Sequence, residues 1–232
     1  MDLPSLLAWL AFAVTMEISN PIHALSPRPI EEVSGAARAV QANVVALRVA
    51  WCKRTGLDQD AHDIKTPPPG PVRRSRELLI PRETIAGYSD EEVQLRLRQV
   101  WGEFCALSWL FPFVDPQKPI DFDDLKPDQT LRCLGDVGGK LAELQIGLWR
   151  MRHEQRLRFD PEAGNDAEFQ RQHAVALSRP VTVFGQHISI CGNFELLACA
   201  CEYAGMLAAL RWATDDRWGW EAPGIMDVAV PA

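Results

Sequence analysis

The sequence contains none of the short motifs that identify common enzyme classes. It has no glycine-rich phosphate loop followed by Lys and Ser or Thr, no Gly-x-Ser-x-Gly and no His-Glu-x-x-His. The stretch Gly135-Asp-Val-Gly-Gly139 is too short for a nucleotide-binding loop and lacks a preceding strand. These absences lower the expectation of an enzyme and leave any reaction unassigned.

The chain also has fewer basic than acidic residues. The chain carries 24 Lys and Arg against 31 Asp and Glu, which gives a net charge of −7. Proteins that bind nucleic acid use a basic surface to neutralise phosphates. The composition therefore makes nucleic acid an unlikely partner, and it favours a basic protein partner instead.

We predict no membrane span, because the N-terminal apolar run is too short for one. The longest N-terminal run, residues 3–16, falls short of the roughly 20 residues that cross a bilayer. A secretory signal would have a positively charged start, whereas Asp2 is the only early charge. We predict a core helix over residues 3–19 and a cytoplasmic protein. The alternative is an atypical secretion signal cut near Ala24.

The cysteines do not form the pattern of a disulfide framework or a metal site. Six of them are scattered, mostly within apolar runs, and no Cys-x-x-Cys pair occurs. Cys199 and Cys201 would point about 200° apart on a helix, so they cannot share a metal. We predict free thiols, with neither a metal nor a cofactor.

The chain does contain strong helix signals, and its 47% hydrophobic content suffices for a sizeable core. Apolar residues recur at steps of three and four over residues 31–55, with Gly56 as the stop. Ser89-Asp-Glu-Glu92 is a capping box that opens a second helix. Further helices are predicted over residues 128–158, 166–177 and 194–213. The first of these is divided or kinked at Gly138-Gly139. The last is capped by Asn193 and is apolar on nearly every face.

A short hairpin interrupts the helical pattern over residues 181–190. Apolar and polar residues alternate there, and Gly185-Gln186 fits a two-residue type II′ turn. In this register Val183 faces Ile188 and Val181 faces Ile190 on the side that packs on the helices. The predicted fold is mainly α, a compact multi-helix bundle with this hairpin packed on it.

We predict a single domain over residues 1–232. Within it, a helical hairpin over residues 1–57 is joined to the main helical body, residues 89–232, by a proline-rich connection over residues 58–88. Prolines at 67–69 and 71 prevent a helix in that connection, so it is either a linker or a functional surface loop.

Candidate catalytic residues occur on the last predicted helix. Glu195, Cys199 and Glu202 are spaced at i, i+4 and i+7 and therefore share one face. Two carboxylates beside a thiol are suited to acid–base chemistry, provided that a histidine converges with them in a cleft. The simpler interpretation is a thin polar stripe on a buried helix.

A partner-binding surface is predicted from acidic and aromatic residues outside the helical stripes. Exposed tryptophans beside carboxylates are typical of binding hot spots. The residues of this predicted acidic surface are Asp121, Asp123, Asp124, Asp215, Asp216, Trp218 and Trp220. Tryptophans within the stripes, among them Trp51 and either Trp101 or Trp109, are expected in the core.

Three functions follow from these patterns. The leading one is a non-enzymatic interaction protein, such as an immunity or antitoxin protein or a secretion adaptor. The second is an enzyme of undetermined class with a polar site on the helix over residues 194–213. The third is a nucleic-acid regulator that uses Arg73, Arg74, Arg76 and the run over residues 150–158, in which His153 lies. We expect that run to be a solvated basic helix end. The segment over residues 207–212 resembles parts of small bacterial proteins, a likeness that carries no activity with it.

Overall fold

The computed structural model describes residues 27–57, 78–112, 130–178, 180–215 and 220. The predicted helix over residues 3–19, the candidate cleavage site at Ala24 and the proline-rich segment at 66–71 lie outside these ranges. Within them the chain forms six α-helices and one two-stranded antiparallel sheet. The prediction of a mainly α bundle with one small hairpin is confirmed.

The first helices begin and end where the sequence signals place them. Helix α1, Ile30–Arg54, stops at Gly56, whose φ of 74° lets the N–H of Leu57 reach the carbonyl of Cys52. After the short helix α2, Arg82–Gly87, the predicted capping box at Ser89 opens α3, Asp90–Trp109. Both of its reciprocal hydrogen bonds are present.

The later helices differ more from expectation. Helix α4, Leu134–Phe159, begins six residues later than predicted and continues through Gly138 and Gly139 without a break. Helix α5, Ala167–Leu177, starts at Asp166 as predicted. Helix α6, Asn193–Thr214, has Gly192 at its N-cap, so the prediction that Asn193 caps it is wrong. Asn193 instead accepts a hydrogen bond from Arg158.

The hairpin forms with a different turn from the predicted one. Strands β1, Thr182–Val183, and β2, Gln186–His187, are joined by Phe184 and Gly185, whose φ values are 48° and 81°. Two positive φ values define a type I′ turn, which matches the twist of the strands. The prediction of a type II′ turn at Gly185-Gln186 is therefore wrong. The predicted register is wrong as well, since Val183 pairs with Gln186 and Thr182 with His187. Val183 and Ile188 are both buried as expected, whereas Ile190 is 73% exposed.

Helix α6 lies at the centre of the bundle. It packs on α3 and α4, while α1 packs on α3. The antiparallel α3–α6 contact is close because Gly102 faces the backbone of Glu202 and Gly205 faces that of Gln99. Buried residues from α1, α2, α3, α4, the hairpin region and α6 join in one hydrophobic cluster.

Helix α6 is also the one helix in the described ranges that is long and apolar enough to cross a membrane. That assessment uses length and composition alone, and 67% of its most apolar stretch is buried inside the protein. Core helices of folded proteins pass the same test. Its position between α3 and α4 accounts for its apolar character.

Candidate functional site

The three candidate catalytic residues share a helix face but have different environments. Glu195 is exposed in the first turn of α6, where its carboxylate lies against Gly192. Cys199 is 5% exposed. Glu202 is partly buried, and its Oε2 has no hydrogen-bond partner in the described part of the chain. The carboxylates at the two ends of this stripe therefore do not meet in one open site.

The electrostatics of this face do not activate the thiol. Burial, together with the nearby negative charge of Glu202, raises the pKa of Cys199 to about 12. A thiol with such a pKa is protonated at neutral pH, and the thiolate is the nucleophilic form. Burial likewise raises the pKa of Glu202, although Arg98 opposes the shift at 3.8 Å.

The histidine that the enzyme hypothesis requires lies elsewhere. His153 on α4 is buried, stacks on Phe169 at 4.2 Å and shares a hydrogen bond of 3.0 Å with His173 of α5. Burial and the neighbouring His173 lower the pKa of His153 to about 4. Across the described ranges, no three His, Cys, Asp or Glu side chains are placed to hold a metal ion.

The basic run over residues 150–158 is only partly the solvated helix end that we expected, since Arg152 and Arg156 are exposed. Arg150 and Glu154 are buried and paired at 3.0 Å, and Arg158 pairs with the other oxygen of Glu154 at 3.1 Å. Arg158 also donates to the carbonyls of Ile188 and Cys191, which fixes the link between the hairpin and α6. These side chains hold the fold together, and Arg73, Arg74 and Arg76 lie outside the described residues.

The predicted acidic surface is only partly within the described ranges, since Asp121, Asp123, Asp124, Asp216 and Trp218 lie outside them. Asp215 is 1% exposed, so the expectation of a solvated carboxylate there is wrong. The segment before α1 covers this end of α6. The backbone N–H of Arg28 donates to the carbonyl of Ala213, and its guanidinium lies over the Trp212 ring at 4.5 Å.

Trp220 also packs against the protein instead of facing solvent. Its ring is partly buried and meets Trp212 edge to face at 4.8 Å. Trp220 therefore packs on the end of α6 rather than projecting into solvent. Within the described residues, the acidic, tryptophan-containing segment faces inward.

The structure instead reveals a cleft that the sequence analysis missed, which we call the aromatic cleft. It has a volume of about 540 Å³ and lies between α1, α3, the hairpin turn and the first turns of α6. Its lining residues are Val44, Arg48, Trp51, Gln94, Leu97, Arg98, Trp101, Phe184, Phe194, Glu195 and Ala198. Neither Glu202 nor a histidine is among them.

Three large aromatic side chains in this cleft remain open to solvent. Trp101 is 42% exposed, Phe184 48% and Phe194 39%. Of the two alternatives predicted for the core, Trp109 packs against it and Trp101 does not. Arg98 lies over the Phe184 ring at 4.8 Å and holds it at the mouth of the cleft.

The backbone at Phe184 is in an unfavourable conformation. Its φ of 48° is in the left-handed region, which bulky side chains rarely adopt. Such a residue costs on the order of 1–3 kcal/mol, and strained residues of this kind cluster at binding sites. An exposed phenylalanine at this position is therefore unfavourable for stability and is best explained by a role in the cleft.

A larger groove of about 840 Å³ runs between α1 and residues 79–86. Its wall is held by Asn43, which donates to the carbonyl of Leu78 and accepts from the N–H of Ile80. Arg54 similarly donates to the carbonyls of Tyr88 and Ile85. These side chains fasten the segment before α3 to α1, so the groove has a structural role.

Comparison with known proteins adds no relative. No protein-family model, curated protein sequence or solved structure matches the chain. The aromatic cleft is therefore the feature that indicates a function.

Proposed function

We propose that the protein is a non-enzymatic interaction protein and that a protein partner inserts an apolar segment into the aromatic cleft. The observation that carries the proposal is the Phe184 ring, which is exposed on a strained turn beside Trp101 and Phe194. Exposed aromatic groups that converge on one concave surface are typical of protein-binding sites. An immunity protein and a secretion adaptor are both consistent with such a site.

The energetics support burial of a partner side chain here. Fully burying a Leu or Phe side chain contributes about 1.5–3 kcal/mol, and tryptophan and arginine dominate measured hot spots. The cleft offers Trp51 and Trp101 as apolar walls, with Arg48 and Arg98 at their edges. Its floor belongs to helices that form the core, so the binding surface is preorganised.

The enzyme hypothesis has less support. The Cys199 thiol is buried with a raised pKa, and the cleft that contains Glu195 has no histidine in its lining. The acidic residues Asp121, Asp123, Asp124 and Asp216, with Trp218, remain a second proposal for partner binding, whereas Asp215 and Trp220 face inward. A cytoplasmic location remains part of the proposal, in keeping with six free thiols.

Site-specific photocrosslinking in the native host tests the proposed site. Benzoylphenylalanine replaces Trp101 in one variant and Leu177 in a control, since Leu177 is 64% exposed on α5. We expect a discrete protein adduct from position 101 alone, and its loss when Phe184→Asn is added. The same adducts from both positions, or none from position 101, would exclude the aromatic cleft as the binding site.

A further inference from the structure

The charge of the aromatic cleft is opposite in sign to that of the whole chain. The chain carries −7, whereas the charged residues that line the cleft are Arg48, Arg98 and Glu195. Two positive side chains and one negative give the lining a charge of +1. A basic cleft in an acidic protein attracts a ligand with the opposite charge, and its low-dielectric aromatic walls strengthen the attraction.

Arg48 has its donors available for such a ligand. The side chain is exposed on α1 and makes no hydrogen bond or ion pair with any residue in the described ranges. A guanidinium in this state can bind a carboxylate through two parallel hydrogen bonds without breaking an existing contact. Arg48 therefore provides one cationic side of the cleft.

Arg98 provides the other side and is already oriented. The Phe184 ring holds its guanidinium at 4.8 Å, and the side chain remains 48% exposed. Arg98 forms an ion pair with Glu202 at 3.8 Å, which is longer than a hydrogen bond. Within the described ranges its N–H donors therefore make no side-chain hydrogen bond to this carboxylate, and a partner carboxylate would compete with Glu202 for Arg98. Stacking on Phe184 reduces the entropy that Arg98 loses when it binds.

We propose that the partner segment bound in the aromatic cleft carries a carboxylate side chain next to its aromatic or aliphatic anchor, and that Arg48 and Arg98 bind this carboxylate. This inference rests on the proposed function. Glu195 on the first turn of α6 makes the charge of the cleft asymmetric, because it repels a second carboxylate at that end of the cleft. The recognised segment is therefore apolar with one acidic neighbour, rather than uniformly acidic.

Peptide selection on the purified full-length chain tests the proposal. A displayed library of random 12-residue peptides is selected for binding to the wild-type protein and counter-selected against Trp101→Ala. We expect the surviving peptides to share Asp or Glu at a fixed spacing from an aromatic or aliphatic residue. The best peptide is then synthesised with a fluorescent label, and its affinity is measured by anisotropy.

The arginines are tested with that peptide and with its Glu→Gln or Asp→Asn form. Loss of the peptide carboxylate should weaken binding by about tenfold, as expected for a charge-assisted pair. Arg48→Gln and Arg98→Gln should each cause a similar loss, and in the double variant the two peptides should bind equally. Arg152→Gln, an exposed substitution on α4, should leave the affinity unchanged.

The outcomes separate the two proposals. Peptides that depend on Trp101 but bind equally well without their carboxylate would overturn the role of Arg48 and Arg98 and leave the proposed function in place. The same holds if Arg48→Gln and Arg98→Gln do not change the affinity. If no selected peptide discriminates the wild type from Trp101→Ala, the aromatic cleft is not a peptide-binding site and both proposals fail.

Discussion

Phe184 shows how a single residue can connect strain with function. Asn tolerates the left-handed region and precedes Gly in the most favourable type I′ turns, so Phe184→Asn places a better residue before Gly185. We predict that this substitution keeps or raises the melting temperature and weakens partner binding at least about thirtyfold, the scale of a hot spot. A variant with a lower melting temperature and intact binding would show that the ring serves stability instead.

Glu103 provides a test of how burial affects stability. Burial raises the pKa of its carboxyl to about 7, although Arg96 and the hydrogen bond from Gln99 oppose the shift. The folded state therefore binds the proton more tightly than the unfolded state, whose carboxyl has an ordinary pKa of about 4.3. The resulting contribution to stability is complete below pH 4.3 and declines as pH rises to about 7.

Glu103→Gln removes this pH dependence while keeping the size of the side chain. We predict that the variant melts at a higher temperature than the wild type at pH 8, and that the difference disappears near pH 4.5. The pKa of His153 is shifted in the opposite direction, and His153 is present in both proteins. Its effect on the melting temperature therefore cancels when the two are compared. Melting curves by circular dichroism from pH 4.5 to 8 provide the measurement, and a constant difference across that range would contradict the assignment.

At the scale of single elements, local chemistry predicted most of the helices. The capping box at Ser89, the stop at Gly56 and the N-cap at Asp166 each depend on hydrogen bonds within a few residues, so the sequence alone is sufficient to find them. The predicted start of α4 and the predicted turn type of the hairpin were wrong. There, packing against other elements decides between alternatives of similar local energy.

The two glycines at the α3–α6 contact depend on tertiary structure in the same way. A Cβ added at Gly205 would lie 2.1 Å from the carbonyl oxygen of Gln99, whereas one added at Gly139 on α4 would meet nothing within 4 Å. Gly139→Ala gains helix propensity, so we predict that it stabilises the fold by about 1 kcal/mol. Gly205→Ala must push the two helices apart and should cost at least about 2 kcal/mol.

Urea denaturation of both variants measures these changes. The matched substitution isolates packing, because each variant adds one methyl group to a helix interior. Equal effects at both positions would mean that α3 and α6 do not cross at Gly205, and with this the central position of α6 would be in doubt.

At the scale of the whole molecule, the aromatic cleft could not be read from the sequence. Its walls come from α1, α3, the hairpin and α6, and no periodicity relates them. One signal was present, because Gln94, Arg98 and Trp101 lie at i, i+4 and i+7 beside the core stripe of α3. The sequence could not show that Phe184 and Phe194 would lie opposite that face.

The burial of Arg150, His153 and Glu154 within the run over residues 150–158 was missed for a related reason. Charge alone predicts solvation, whereas Arg150 and Glu154 neutralise each other at 3.0 Å inside the bundle. Asp215 was misplaced because Arg28, distant in sequence, covers the end of α6. Arg150 and Glu154 pair within one turn of α4, but only the folded chain reveals that this turn is buried.

The most direct test of the central claim is the affinity of the photocrosslinked partner for Trp101→Ala. Because a tryptophan at the centre of an interface contributes at least about 2 kcal/mol, we predict that binding weakens roughly thirtyfold or more, mainly through faster dissociation. Leu177→Ala, at an exposed position on α5, should bind like the wild type, and both variants should keep the wild-type melting temperature. Equal affinity of Trp101→Ala and wild type would contradict the assignment of the aromatic cleft as the binding site.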